Sequence, residues 1–182
     1  MAVRKWVIDP THSEIQFKIK HLMISTVTGS FDIFAASVET TGEDFTKSSI
    51  RFSANVDSIQ TGNELRDGHL KTADFFDTEN FPKLLFVSSE FQTVDNDASY
   101  ELFGNLTIKD ITKHIKLSVE FGGIVRDPYG NTKAGFSIHG TISREAFGLR
   151  WNSLTETGGI VVSDEVRIAC EIQLIEQPLG QW

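Results

Sequence analysis

Cysteine, proline and positive charge are all scarce in this chain. A lone Cys170 among 182 residues can form no internal disulfide, and four prolines are too few for a collagen-like or proline-rich class. Seventeen Lys and Arg face 25 Asp and Glu, for a net charge of −8. A nucleic-acid binder needs a basic surface to displace counterions, so no nucleic-acid partner is expected. The same sign argues against docking driven by anionic lipid headgroups. No run of about 18 apolar residues occurs, so no integral membrane segment is expected. The opening Met1-Ala2-Val3-Arg4-Lys5-Trp6 shows no apolar leader. The expected compartment is therefore the cytoplasm, or the periplasm if the chain is a mature form.

Reactive constellations are scarce too. The five histidines, His12, His21, His69, His114 and His139, never stand at HxH or HxxxH spacing. With no cysteine pair, no metal site is expected. No G-x-S-x-G elbow or glycine-rich phosphate loop is present. Asp9, His12 and Ser13 are close in sequence, but Asp9-Pro10-Thr11-His12-Ser13 reads as a turn in which Asp9 and Thr11 bond local backbone. A triad needs a spatial relay and an oxyanion hole, which adjacency does not supply. Cys170 sits on the apolar face of the last strand, where thiols are inert core residues. No catalytic residue and no cofactor is expected.

What the chain has is phenylalanine and alternation. Fourteen Phe accompany only two Tyr and two Met, which points to a thick aromatic core or an aromatic-lined cavity. Ile15, Phe17 and Ile19 alternate with Gln16, Lys18 and Lys20. Ile50, Phe52, Ala54 and Val56 alternate with Arg51, Ser53 and Asn55. The same period runs through Leu102–Ile108, Ile115–Phe121 and Val166–Leu174, and more weakly through Phe31–Val38, Leu84–Phe91 and Ala134–Ser143. Period two is the signature of a strand with one dry and one wet face. Turn-rich stretches such as Asp95-Asn96-Asp97 and Asp127–Asn131 separate several strands.

One stretch breaks the period. Over Asn63–Phe76, Asn63 caps a short helix weakened by Gly68, with Leu65, Leu70 and Ala73 as a rough apolar face. Arg66, Asp67 and His69 crowd this helix. They form either a salt-bridged surface turn or a polar lid over an apolar cavity. The expected fold is all-β: one domain over 1–182, an antiparallel barrel of about eight strands with one short helix over its mouth. Periodicity alone does not separate a filled barrel from a hollow one.

The ordered set of motifs resembles the YceI-like family. It begins with Trp6-Val-Ile-Asp9-Pro-Thr-His12-Ser13, Ile15-x-Phe17-x-Ile19-Lys20-His21-Leu22 and Gly29-x-Phe31. It continues through Asp67-Gly-His69-Leu70-Lys71-x-x-Asp74-Phe75-Phe76-Asp77, Phe81-Pro82 and Gly104-x-Leu106-Thr107-Ile108-Lys109. It closes with Ala134-Gly135-Phe136, Arg144-x-x-Phe147-Gly148 and Val162-Ser163-Asp164-Glu165-Val166. The resemblance implies a lipocalin-like barrel that binds, stores or transports a polyisoprenoid, an isoprenoid quinone or a fatty-acid-like lipid in bacteria. Many members are exported to the periplasm. The partner is then a small-molecule lipid, and a homodimer is left open.

Ile15, Phe17, Ile19, Phe31, Ile50, Phe52, Ala54, Phe86, Leu106, Leu117 and Ile168 are expected to line the ligand site, with Lys18, Arg51 and Lys116 outside. His12, Arg66, His69 and Arg144 are expected to meet a polar head. Hydrocarbon burial is worth about 0.8 kcal/mol per CH₂, so a five-carbon unit contributes roughly 4 kcal/mol before ordering costs. Two alternatives stand beside this reading. One is an enzyme acting on a lipid-like substrate through an acid–base pair such as His69 with Asp67. The other is a filled barrel serving as an interaction module.

Overall fold

The computed structural model describes residues 2–94, 98–152 and 161–178. The Asp95-Asn96-Asp97 turn lies outside the described residues. Eleven strand segments appear: β1 (Val3–Ile8), β2 (Glu14–His21), β3 (Ser25–Phe31), β4 (Phe34–Thr41), β5 (Asp44–Asn55), β6 (Ile59–Gln60), β7 (Lys83–Thr93), β8 (Ser99–Ile108), β9 (Ile111–Arg126), β10 (Thr132–Ser143) and β11 (Val162–Glu176). The sheet order is β1-β4-β5-β7-β8-β9-β10-β11-β2-β3-β6, and β1 also pairs with β11 to close a ring.

Three pairs of segments are single strands bent at one level. β1 and β2 both run antiparallel to β11, with Ile8 opposite Leu174 and Ile15 opposite Cys170. β3 and β4 continue one another alongside β2 and β1, and β5 and β6 alongside β4 and β3. The result is a closed antiparallel barrel of eight strands.

Each bend has a local cause. Pro10 opens a 3-10 turn over Pro10–His12, where its missing N–H costs nothing, and Asp9 accepts from Thr11 N at 3.1 Å. Val56–Ser58 forms a second turn, capped by Asn55 accepting from Asp57 N. Ser58 Oγ then accepts from the backbone N–H of Asp32 and Ile33, at 3.1 and 3.0 Å. The strand expected over Phe31–Val38 is therefore split at Asp32-Ile33, and Val56 leaves the alternation of β5.

The helix α1 (Glu64–Leu70) is capped by Asn63, whose side chain accepts from Arg66 N at 3.0 Å. Its expected apolar face is corrected. Leu65 is 89% exposed and Ala73 is exposed, while the buried helical residue is Asp67. Of the expected face only Leu70 packs inward, and Phe75 and Phe76 join it.

The two ends of the barrel differ. At the end formed by the start of β1 and the β4–β5 turn, Phe45, Phe121 and Phe136 lie with ring centroids 5.0–5.7 Å apart. Trp6 meets Phe45 at a tilt, ring centroids 5.3 Å apart, and donates from Nε1 to Thr40 Oγ1 at 3.1 Å. Edge and tilted ring contacts of this kind stabilise beyond area burial alone. Among the described residues, the opposite end is lined by α1 and the segment 144–152.

Candidate ligand-binding cavity

The inward faces of the strands do not fill the barrel. They enclose a cavity of about 430 Å³ with an almost wholly hydrocarbon wall, running from Phe45 and Phe136 at the aromatic end to Arg66, His69 and Trp151 at the other. Ile15, Phe17, Ile19, Phe31, Ile50, Phe52, Phe86, Leu106, Leu117 and Ile168 line it. Arg51 and Lys116 are exposed on the outer face. Phe17, Ile50, Phe52 and Ile168 are only partly buried, because they face an open interior. Cys170 joins the lining, and burial pushes its thiol up to about 11, which keeps it protonated and unreactive.

Ala54 is a correction. It is fully buried, but its methyl does not reach the cavity, standing in register with the larger Phe34 and Leu84. His12 is another. It sits on the outer wall toward the aromatic end, its ring 57% exposed and its Nδ1 2.7 Å from Asp9 Oδ2. Lys133 and Gln173 surround it, and it takes no part in the mouth.

The mouth is built from three pieces. Arg66 on α1 folds back on Thr61, its Nε donating to Oγ1 at 2.7 Å and its Nη2 to the backbone carbonyl at 2.6 Å. Asp67 accepts from Thr61 N and Oγ1, so Arg66 and Asp67 together brace the strand-to-helix connection. His69 does not pair with Asp67. Its Nε2 lies 2.8 Å from Asp74 Oδ2, and its ring stands edge-on to Trp151 and Phe75 at 4.7 and 5.2 Å. The particular pair expected for an enzyme, His69 with Asp67, is therefore not formed, and Asp74 stands in Asp67's place.

Arg144 is buried and committed to backbone. Its Nε donates to Ser163 O, Nη1 to Leu149 O and Trp151 O, and Nη2 to Val162 O, at 2.6–3.1 Å. Burial pulls its pKa down, and Glu145 and Asp164 partly offset this. Its side chain borders the cavity, but it ties 149–151 to β11 and has little left to offer a head group.

The sequence reading did not single out the residues that complete the rim. Lys20 and His21 at the end of β2, Val27 on β3, and Trp151 all border the opening. The inward parity of β2 continued one step past Ile19 would have found His21. The charged lining residues, Lys20, Arg66 and Arg144, are all cationic. No Asp or Glu lines the cavity among the described residues, although the chain carries −8. Nor is any group of His, Cys, Asp or Glu among them placed to hold a metal ion.

The model of the YceI-like domain matches residues 6–174. This chain belongs to the YceI-like family. A UPF0312 protein of Staphylococcus aureus is 40% identical over 165 residues, covering 89% of this chain and 92% of its own. The YceI protein of Campylobacter jejuni, solved as a crystal structure, is 31% identical with a TM-score of 0.73, covering 88% of this chain and 91% of that one. A structure described as a polyisoprenoid binding domain from Saccharophagus degradans aligns with a TM-score of 0.69 at 15% identity, over 94% of this chain and 98% of that one. At that identity it speaks for the shared fold.

Proposed function

We propose that this YceI-like barrel binds the hydrocarbon tail of a lipid, to store or carry it, with the polar head left at the mouth. The observation that carries this reading is the distribution of polarity in the cavity. The wall is apolar throughout, and its charges stand at one end with one sign. Such a space suits a ligand with a long featureless tail and an anionic or electron-rich head. A polyisoprenoid, an isoprenoid quinone or a fatty-acid-like chain has this form. The first of these is also what the Saccharophagus degradans domain of the same fold is described as binding.

Binding is favoured over turnover by the partners of the polar mouth residues. Asp67 is engaged by Thr61 and Arg144 by four carbonyls, and the one acid–base contact at the mouth among the described residues, His69 with Asp74, has no nucleophile of the described lining hydrogen-bonded to it. Head-group contact falls to Lys20, His21 and the free face of Arg66.

The test compares a prenyl phosphate with the prenol of the same tail, each displacing a fluorescent polyene fatty acid from the delipidated protein. Lys20→Ala with Arg66→Ala weakens the prenyl phosphate about tenfold, the worth of one charge-assisted hydrogen bond, and leaves the prenol within about twofold. Equal losses for both ligands would assign these residues to structure. Failure of either ligand to bind the wild-type protein would remove the reading itself.

A further inference from the structure

Three consecutive large apolar side chains are exposed at only one place among the described residues. Leu22, Met23 and Ile24, at the β2–β3 turn, are 38%, 61% and 82% exposed. Scattered exposed apolar residues are ordinary, but a contiguous set calls for a partner. The backbone adds a second observation. Leu22 and Met23 adopt φ of 52° and 59°, the left-handed conformation that Asn and Gly occupy most readily. Bulky side chains stand where small ones fit the turn better, and Met23 in particular stays mostly exposed.

The place of this tip in the molecule decides what it meets. Lys20 and His21 precede it, Val27 follows it, and all three border the cavity. β3 has a sheet neighbour on its outer side only at Ser30 and Phe31, so over Ser25–Gly29 that side of the hairpin is unpaired among the described residues. The apolar tip is thus continuous with the apolar wall through Ile19 and Val27. Leu65, 89% exposed on α1, stands beside Arg66 at the same end.

We infer that the Leu22–Met23–Ile24 tip inserts into the interface of a phospholipid bilayer and seats the cavity mouth against it, so that a tail passes between membrane and barrel without crossing water. The inference rests on the tail-binding reading. Lys20, His21 and Arg66 then lie at the level of the headgroup phosphates, where cationic donors find acceptors. Three side chains on a turn fall well short of the roughly 800 Å² per partner that a stable protein interface buries, which disfavours a second copy as the occupant. The net charge of −8 repels an anionic surface, so apolar insertion holds the contact and a zwitterionic bilayer suffices.

The test uses the full chain with phosphatidylcholine vesicles carrying a fluorescent polyene fatty acid. The wild-type protein co-sediments with the vesicles and withdraws the fatty acid, with little dependence on salt. Replacing Leu22, Met23 and Ile24 by Ser lowers sedimentation and withdrawal rate at least about tenfold, because burial of even one such side chain exceeds the free energy of a tenfold change. Binding of the same fatty acid in buffer stays within about twofold of wild type. The pair Leu22→Asn and Met23→Gly, suited to the left-handed backbone, gives the same loss in a stably folded protein.

Unchanged sedimentation of either variant overturns the inference. So does sedimentation confined to phosphatidylglycerol-containing vesicles and abolished by salt, or a wild-type dimer in light scattering that becomes a monomer in the variants. Absence of fatty-acid binding in buffer, with vesicle docking intact, would instead count against the tail-binding reading.

Discussion

Asp9 is the residue on which the bend between β1 and β2 turns. Lys133 Nζ lies 2.8 Å from its Oδ2, His12 Nδ1 2.7 Å from the same oxygen, and Thr11 Oγ1 2.8 Å from Oδ1. Burial pushes this carboxyl up, but the bonds from Lys133, His12 and Thr11 outweigh it and hold the group well below the usual carboxylate range. A carboxyl lowered in the folded state contributes stability that is present above its unfolded pKa, about 3.9, and lost as pH falls toward the folded value. Asp9→Asn is therefore expected to cost about 3 kcal/mol at neutral pH, since it strips a nearly buried Lys133 of its main partner. The gap from wild type should narrow as pH falls below about 4. Thermal melts of both proteins across that range check this, and a gap independent of pH would contradict it. Of this cluster, the local turn was legible in Asp9-Pro10-Thr11. Lys133, 124 residues away, was not, because nothing in the spacing announces a long-range pair. The same holds for Arg144: its four acceptors are backbone carbonyls, which carry no side-chain signal, and it therefore reads in sequence as a free cation at a strand end.

At the scale of the element, the strands divide by how much of their own apolar surface they carry. Ile15–Ile19 of β2, Leu102–Ile108 of β8, Ile115–Phe121 of β9 and Val166–Leu174 of β11 alternate and were legible at once. β3 was not, because its Ser25-Thr26-Val27-Thr28-Gly29-Ser30-Phe31 run places Gly29 at an inward position. The ring of Phe17 covers Gly29, and its Cζ lies 2.2 Å from where a Cβ would be. Apolar cover for β3 thus comes from the neighbouring strand. Two further wall glycines make this testable. At Gly104 a Cβ would come 2.5 Å from both the Phe86 ring and the backbone carbonyl of Val87, which cannot yield without disturbing the β7–β8 ladder. At Gly140 the closest atom is Leu117 Cδ2, also at 2.5 Å, the end of a side chain that can rotate into the open cavity. Gly104→Ala is expected to destabilise by about 2–3 kcal/mol and Gly140→Ala by about 1 kcal/mol or less, read from urea denaturation midpoints at constant m. Equal costs at the two sites would mean that the wall near Leu117 is as rigid as the backbone.

For the whole molecule, an antiparallel barrel with a helix over one end was legible in the alternation, but its hollowness was not. Filled and hollow barrels share the same inward period. What separates them is how side-chain volumes meet across the interior, which depends on strand order and register. Here one aromatic cluster, Phe45, Phe121 and Phe136, closes one end and another, Phe75 with Trp151, stands at the mouth, while small residues such as Ala36 and Gly140 stand at inward positions along the wall between them. The bends at Pro10–His12, Asp32-Ile33 and Val56–Ser58 separate β2, β3 and β6 from β1, β4 and β5 at one level. Residues of α1 and of 144–152 line the mouth end of the cavity. The most direct test of the account is organic extraction of the purified protein followed by mass spectrometry, with a cavity-filling variant alongside. The wild-type protein should yield about one long-chain lipid per barrel, and Ile138→Trp, at a lining position, should yield far less while keeping the β-rich circular dichroism of the parent. A wild-type barrel that releases no lipid and takes up no tail after delipidation would contradict the account.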